Sequence, residues 1–227
     1  MLLDAGNTLV FVDRRRVVPV LEAAGAATAE ALWREAEREA RLALSLALGR
    51  ARDARGSEER VWRDYFHTII RGCGVAEERS ATVAETLRGL HLEDHMWTWA
   101  QEGTAEALTR VRDLGYRVGV VSNADGRVEA LLERVGLASL VEFVIDSHAV
   151  GVAKPDPRIF RMGAERFGLP PERCLYVGDL YAVDVVGARA AGLRPLLVDP
   201  FDRHADWEDV DRIPSVAELP DWLATRG

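Results

Sequence analysis

From about residue 100 the chain alternates short apolar runs with amphipathic stretches, and nothing else narrows its possible folds so far. The runs "YRVGVVS" (116–122), "VEFVID" (141–146), "CLYVGD" (174–179) and "RPLLVD" (194–199) have strand length. Between them lie helix-like segments at 104–115, 126–136, 156–168 and 182–192. The punctuation agrees with this reading. Thr104 is the expected N-cap of the first helix, Asp156 with Pro157 opens the third, and Gly115, Gly136, Gly168 and Gly192 stand where helices should stop. Strands that are apolar throughout, alternating with helices, are the pattern of a parallel sheet covered on both faces. The expected class is therefore α/β, a Rossmann-like three-layer core.

Residues 14–95 break that pattern. "TAEALWREAEREARLALSLALGRA" (28–51) and "SEERVWRDYFHTIIRGCG" (57–74) carry helical periodicity, a third helix is expected across 79–90, and no convincing strand appears. The expected organisation is a core formed by 1–13 and 96–227, interrupted by a helical domain at 14–95. "SVAELPDWL" (215–223) opens with a Ser-x-x-Glu capping box and predicts a final surface helix. The first strand holds only Met1, Leu2 and Leu3 before Asp4. Either it is unusually short or its true start lies upstream.

In a parallel sheet, ligands bind beyond the carboxyl ends of the strands. Polar residues sit at those ends: Asp4 in "LLDAGNTL", Ser122 and Asn123 after "VGVV", Lys154 in "GVAKPDP", and Asp179 after "LYVG" with Asp184 five residues on. Lys154 stands out further, because 28 of the 29 basic residues are arginine and it is the single lysine. A compact ammonium enters a tight pocket as a point charge in a way a forked guanidinium does not. Carboxylates, one ammonium and a hydroxyl together suit a hard divalent cation and a phosphoryl group.

That set, in that order, resembles the haloacid dehalogenase superfamily of hydrolases, which is mostly phosphatases. The first motif of the superfamily, usually Asp-x-Asp-Gly-Thr, corresponds to Asp4-Ala5-Gly6-Asn7-Thr8; Ser122 with Asn123, Lys154 in "KPDP", and Gly178-Asp179 with Asp184 match the other three. The helical insertion resembles the cap of the group that carries it after the first motif. The resemblance implies Asp4 as a nucleophile forming an aspartyl-phosphate and Lys154 as the stabiliser of its charge. It also implies Thr8, Ser122 and the Asn123 backbone around the phosphoryl group. Magnesium would be held by Asp4, the Gly6 carbonyl, Asp179 and Asp184, the last through water or an indirect contact. The chain departs from the pattern at Gly6, where the second Asp, the general acid and base of the phosphatases, is missing. A glycine carbonyl still coordinates metal, and Asn7 tolerates the positive φ that the loop requires of the family's glycine.

Three alternatives stay open beside a small-molecule phosphatase. A 2-haloacid dehalogenase also lacks the second Asp, but has no need of the Gly-Asp-(x)4-Asp motif. A phosphonoacetaldehyde hydrolase needs a lysine in the cap, and this insertion holds none. A catalytically impaired phosphate-ester binding or interaction protein of the same fold is the third. Composition excludes other classes: a net charge of −8 disfavours nucleic acid, and no apolar run reaches the about 18 residues of a membrane span. No signal peptide is expected, and Cys73 and Cys174 lack metal or disulfide spacing, which fits a reducing cytoplasm. The five histidines show no metal-type pairing and read as surface or core residues. Arg14, Arg15 and Arg16 either meet an anionic substrate or form a solvated charged surface. The oligomeric state is not legible.

Overall fold

The structure is a computed structural model that describes residues 1–50, 57–202 and 209–226; of 46–50 and 57–62 the backbone alone is described. The chain divides into two compact units, Met1–Phe11 with Thr98–Gly227, and Val12–Trp97. Its strands are β1 (Leu2–Leu3), β2 (Phe11–Val12), β3 (Trp97–Trp99), β4 (Gly119–Ser122), β5 (Val144–Asp146), β6 (Leu175–Gly178), β7 (Arg194–Val198) and β8 (Asp211–Ile213). Six of them form one parallel sheet in the order β5-β4-β1-β6-β7-β8, flanked by helices, so the α/β reading holds. β2 pairs with β3 in a separate ribbon, through which the chain passes between the units.

β1 lies at the centre of the sheet although it is only two residues long. Leu2 is in register with Gly119 and Tyr176, and Leu3 with Val120 and Val177. Flanking bonds extend it, since Gly119 N–H donates to the Met1 carbonyl and Asp4 N–H to the Val177 carbonyl. Leu2, Val121 and Tyr176 face helices Pro157–Phe167 and Val186–Ala191 in one apolar cluster, while Leu3, Val120 and Val177 are buried as well. Both faces are therefore covered, which is why these strands are apolar at every position. The helix Pro157–Phe167 follows its local signals: Asp156 caps it by accepting from Arg158 N–H, and Gly168 closes it in the left-handed region.

Two expected caps do not form. Gly103, at φ 81°, precedes the helix Thr104–Asp113 instead of Thr104, whose side chain is buried. Ser215 makes no side-chain cap bond, because a 3-10 turn at Val216–Glu218 separates it from the helix Leu219–Ala224. β8 is absent from the sequence reading since "DRI" is short and charged. The strand expected from 116 begins only at Gly119, after an exposed Tyr116.

The unit Val12–Trp97 contains helices Arg14–Ala23, Glu30–Arg50, Ser57–Gly72 and Glu77–Glu93, the first of them unforeseen. Of the three arginines at 14–16, Arg15 is solvated as the surface reading expects, while Arg14 and Arg16 are partly buried. Arg14 pairs with Glu30, donates to the Thr28 carbonyl and lies over the Trp33 ring. Arg16 donates to the carbonyls of His95 and Leu90, and Arg15 holds the capping carboxylate of Asp13. They tie this unit together internally. His91 and His95 do stand together, with ring centroids 4.5 Å apart, and the Nδ1 of each accepts a backbone N–H. No helix among the described residues is long and apolar enough to cross a membrane.

Candidate active site

The residues after β1 form a turn that closes on one carbonyl. Ala5 O accepts the N–H groups of Thr8, Leu9 and Val10, and Asn7 N–H donates to Val10 O. Closing the chain this tightly needs one left-handed residue, and Asn7 supplies it at φ 54°. Gly6 instead bridges to Val10. The turn projects Asp4 from the middle of the sheet, between the ends of β4 and β6.

Asp4 is buried, and its Oδ1 accepts from Ser122 Oγ at 2.9 Å while pairing with Lys154 Nζ at 2.7 Å. The same ammonium lies 2.7 Å from Asp184 Oδ1 and donates at 2.9 Å to the hydroxyl of Tyr176. Asp184 Oδ2 accepts the Leu180 N–H, so both of its oxygens are engaged by the protein. Carboxylate oxygens of Asp4, Asp179 and Asp184 lie within 4.8 Å of one another. Gly178 makes room for this arrangement: a Cβ there would fall 2.4 Å from Asp184 Cγ. A π-helical turn at Tyr181–Val185 carries Asp184 back over the strand end.

Burial pulls the Lys154 pKa down, but the charges of Asp184 and Asp4 outweigh it, and the pKa is pushed up to about 12. Lys154 therefore stays an ammonium. Burial pushes the Asp4 carboxyl above its ordinary range against the pull of Lys154, and the neighbouring charge of Asp184 adds to the rise.

The expectation for Asn123 concerned its backbone N–H; its side chain has a structural role besides. Its side-chain amide clamps the backbone of Lys154, accepting from Lys154 N–H at 2.7 Å and donating to Lys154 O at 2.9 Å. Two residues escaped the sequence reading. Asp146, at the end of β5, accepts from Gly126 N–H and His148 N–H and so holds the loop after Ser122. It carries the same strand-end signal as the other acids. Tyr176 sits inside an apolar strand, where only the need of a buried hydroxyl for partners would have drawn attention to it.

The donor set fits a magnesium ion. Three carboxylates provide hard oxygens, and the ammonium of Lys154 pairs with two of them, Asp4 and Asp184. Asp4, Asp179 and Asp184, with the Gly6 carbonyl that the resemblance implies, would hold the ion; both oxygens of Asp184 also engage Lys154 and Leu180. Thr8 Oγ1 is buried without a hydrogen-bond partner among the described residues, a hydroxyl beside the same turn that a bound anion could engage.

A family model described as "haloacid dehalogenase-like hydrolase" matches residues 1–192. The chain is 36% identical over 166 residues to mouse haloacid dehalogenase-like hydrolase domain-containing protein 3, covering 70% of this chain and 63% of that protein. It thus spans less than two thirds of that relative. A phosphoserine phosphatase of Thermus thermophilus is 35% identical over 192 residues, 84% of this chain and 71% of the relative. Among solved structures, a 2-haloacid dehalogenase from Pseudomonas syringae shares the fold at 22% identity, with a TM-score of 0.57 over 100% of this chain and 98% of that one.

Proposed function

The chain belongs to the haloacid dehalogenase-like hydrolases, and on that premise we propose that it is a magnesium-dependent phosphatase of small phosphate esters. In this reading Met1–Phe11 with Thr98–Gly227 is the catalytic core, and Val12–Trp97 is the cap that selects the substrate. One observation carries the proposal: Asp4 and Asp184 share the ammonium of Lys154, with the Asp179 carboxylate beside them. Displacing halide from carbon needs no such cluster of acids, whereas a phosphoryl group facing an anionic nucleophile does.

Asp4 is the nucleophile. Ser122 and Lys154 hold its Oδ1, which leaves Oδ2 to attack. The Oδ2–P bond forms and the bond from phosphorus to the leaving oxygen breaks, giving an aspartyl-phosphate and an alkoxide or phenolate. Water then attacks phosphorus, releasing inorganic phosphate and the Asp4 carboxylate. Magnesium, when bound, neutralises charge on the phosphoryl oxygens. The charge of Lys154 stabilises the same oxygens, and the Asn123 clamp keeps Lys154 in place. Gly6 offers no proton, so the leaving oxygen departs as an anion and takes its proton from solvent. Good leaving groups are therefore favoured. The Thermus relative suggests phosphoserine for a substrate panel, but its serine alkoxide leaves poorly and falls among the slow substrates.

The test is phosphate release from p-nitrophenyl phosphate with and without magnesium, beside thermal melts. Magnesium should support turnover and raise the melting temperature of the parent, because it binds only the folded cluster. Asp179→Asn should lose both effects. Gly6 favours a second reading, a dehalogenase, since such enzymes also lack the second acid. Chloride release from a 2-haloacid, with no phosphate release, would establish it.

A further inference from the structure

Tyr176 lies within β6, fully buried, and none of the steps above uses it. Its ring packs edge-on against Phe160, with centroids 4.7 Å apart, in the core beneath helix Pro157–Phe167. Its hydroxyl reaches the charged cluster. It stands 2.9 Å from Lys154 Nζ, 2.9 Å from the Val121 carbonyl and 3.2 Å from Asp184 Oδ1. A phenol has one proton to give. With that proton on the Val121 carbonyl, the oxygen is an acceptor toward the ammonium.

An ammonium has three N–H donors and accepts nothing. Here three acceptors meet them: Asp4 Oδ1, Asp184 Oδ1 and the Tyr176 hydroxyl. The Nζ lies 5.5 Å from the ring centroid but 2.9 Å from the hydroxyl, so the contact is a hydrogen bond at the phenol's oxygen and not a charge over the ring face. Without the hydroxyl, the third N–H would lose the acceptor that now stands 2.9 Å from the nitrogen. A buried donor without an acceptor is costly, so the ammonium would turn away from this direction and disturb its other two bonds.

We propose that Tyr176 is the positioning residue for Lys154, its hydroxyl fixing one direction of the ammonium so that the other two stay aimed at Asp4 and Asp184. Its consequence for rate rests on the phosphatase reading; the positioning itself does not.

Tyr176→Phe removes one oxygen and keeps the ring. Because Lys154 is the single lysine, protein grown with isotope-labelled lysine has a single lysine side-chain signal in NMR spectra. In the parent, the three-acceptor cage should make the ammonium protons exchange slowly enough with water to be observed. In Tyr176→Phe the signal should shift and its protons should exchange faster. The kcat on p-nitrophenyl phosphate should fall about 10- to 100-fold, the worth of a hydrogen bond to a charged group, with KM changed less than about threefold. A lower melting temperature with unchanged kcat and an unchanged lysine signal would reduce Tyr176 to a core residue and overturn the proposal. Rapidly exchanging ammonium protons in the parent would overturn it without any variant. A parent that releases no phosphate would sink the phosphatase reading, and the lysine signal would still decide the positioning.

Discussion

Replacing Gly6 by aspartate should convert a leaving-group-sensitive enzyme into a tolerant one. The backbone conformation there does not demand glycine: Gly6 bridges to Val10, and the left-handed conformation of the turn falls on Asn7. It follows Asp4 by two residues and is partly exposed. A carboxyl there can protonate the leaving oxygen and later deprotonate water. General acid–base assistance is typically worth about 10²- to 10⁴-fold, or about 3–5 kcal/mol of barrier at roughly 1.4 kcal/mol per tenfold. The gain depends on the ester. Nitrophenolate departs readily without a proton, so kcat/KM for p-nitrophenyl phosphate should change little. An alkyl phosphate such as phosphoserine, which must expel an alkoxide, should gain most of the full factor. The assay is kcat/KM for p-nitrophenyl, phenyl and alkyl phosphates in the parent and in Gly6→Asp. The parent should slow steeply as the leaving group becomes more basic, and the variant only gently. Equal parent rates across the series, or one common factor for every ester, would refute the reasoning.

Lys154→Met leaves Asp4 and Asp184 buried together without their cation, and breaking such a pair costs about 3–5 kcal/mol. Burial already raises the Asp4 carboxyl above 3.8, and the variant removes the ammonium that opposes this rise. A carboxyl with a folded pKa above its unfolded value loses stability as pH climbs past the unfolded value. The melting-temperature deficit against the parent should thus be larger at pH 8 than at pH 5; an equal deficit at both would refute the assignment. Gly178→Ala forces a Cβ onto Asp184. Its overpacking should cost about 1–3 kcal/mol in denaturant melts, and the displaced carboxylate should weaken the stabilisation by magnesium, whereas Gly89→Ala, at a position with open space, should do neither.

What the sequence reveals most clearly is whatever obeys local rules. Asp156-Pro157 and Gly168 bracket a helix through backbone chemistry that needs no distant partner, and the alternation from residue 100 makes the parallel sheet legible. Strand-end placement singles out Asp4, Ser122, Lys154 and Asp179 before their distances are known. Local rules fail where tertiary contacts decide. Thr104 and Ser215 look like caps, but a left-handed Gly103 and a 3-10 turn take precedence. β8 has no apolar run because it is a short edge strand. The side-chain clamp of Asn123 on Lys154 joins two loops 31 residues apart, which no window along the chain could display. Tyr176 passes for an ordinary strand residue because its hydroxyl finds Val121 across the sheet, through the register of two strands on either side of β1.

The most direct measurement is acid quench during turnover of p-nitrophenyl phosphate with magnesium, followed by peptide mapping. Gly6 leaves no base to activate water, so the intermediate should accumulate, and one phosphoryl group is expected on the peptide that carries Asp4. Asp4→Asn should show neither the label nor turnover. Phosphate release with no label on Asp4, or turnover that survives in Asp4→Asn, would contradict the assignment of Asp4 as the nucleophile.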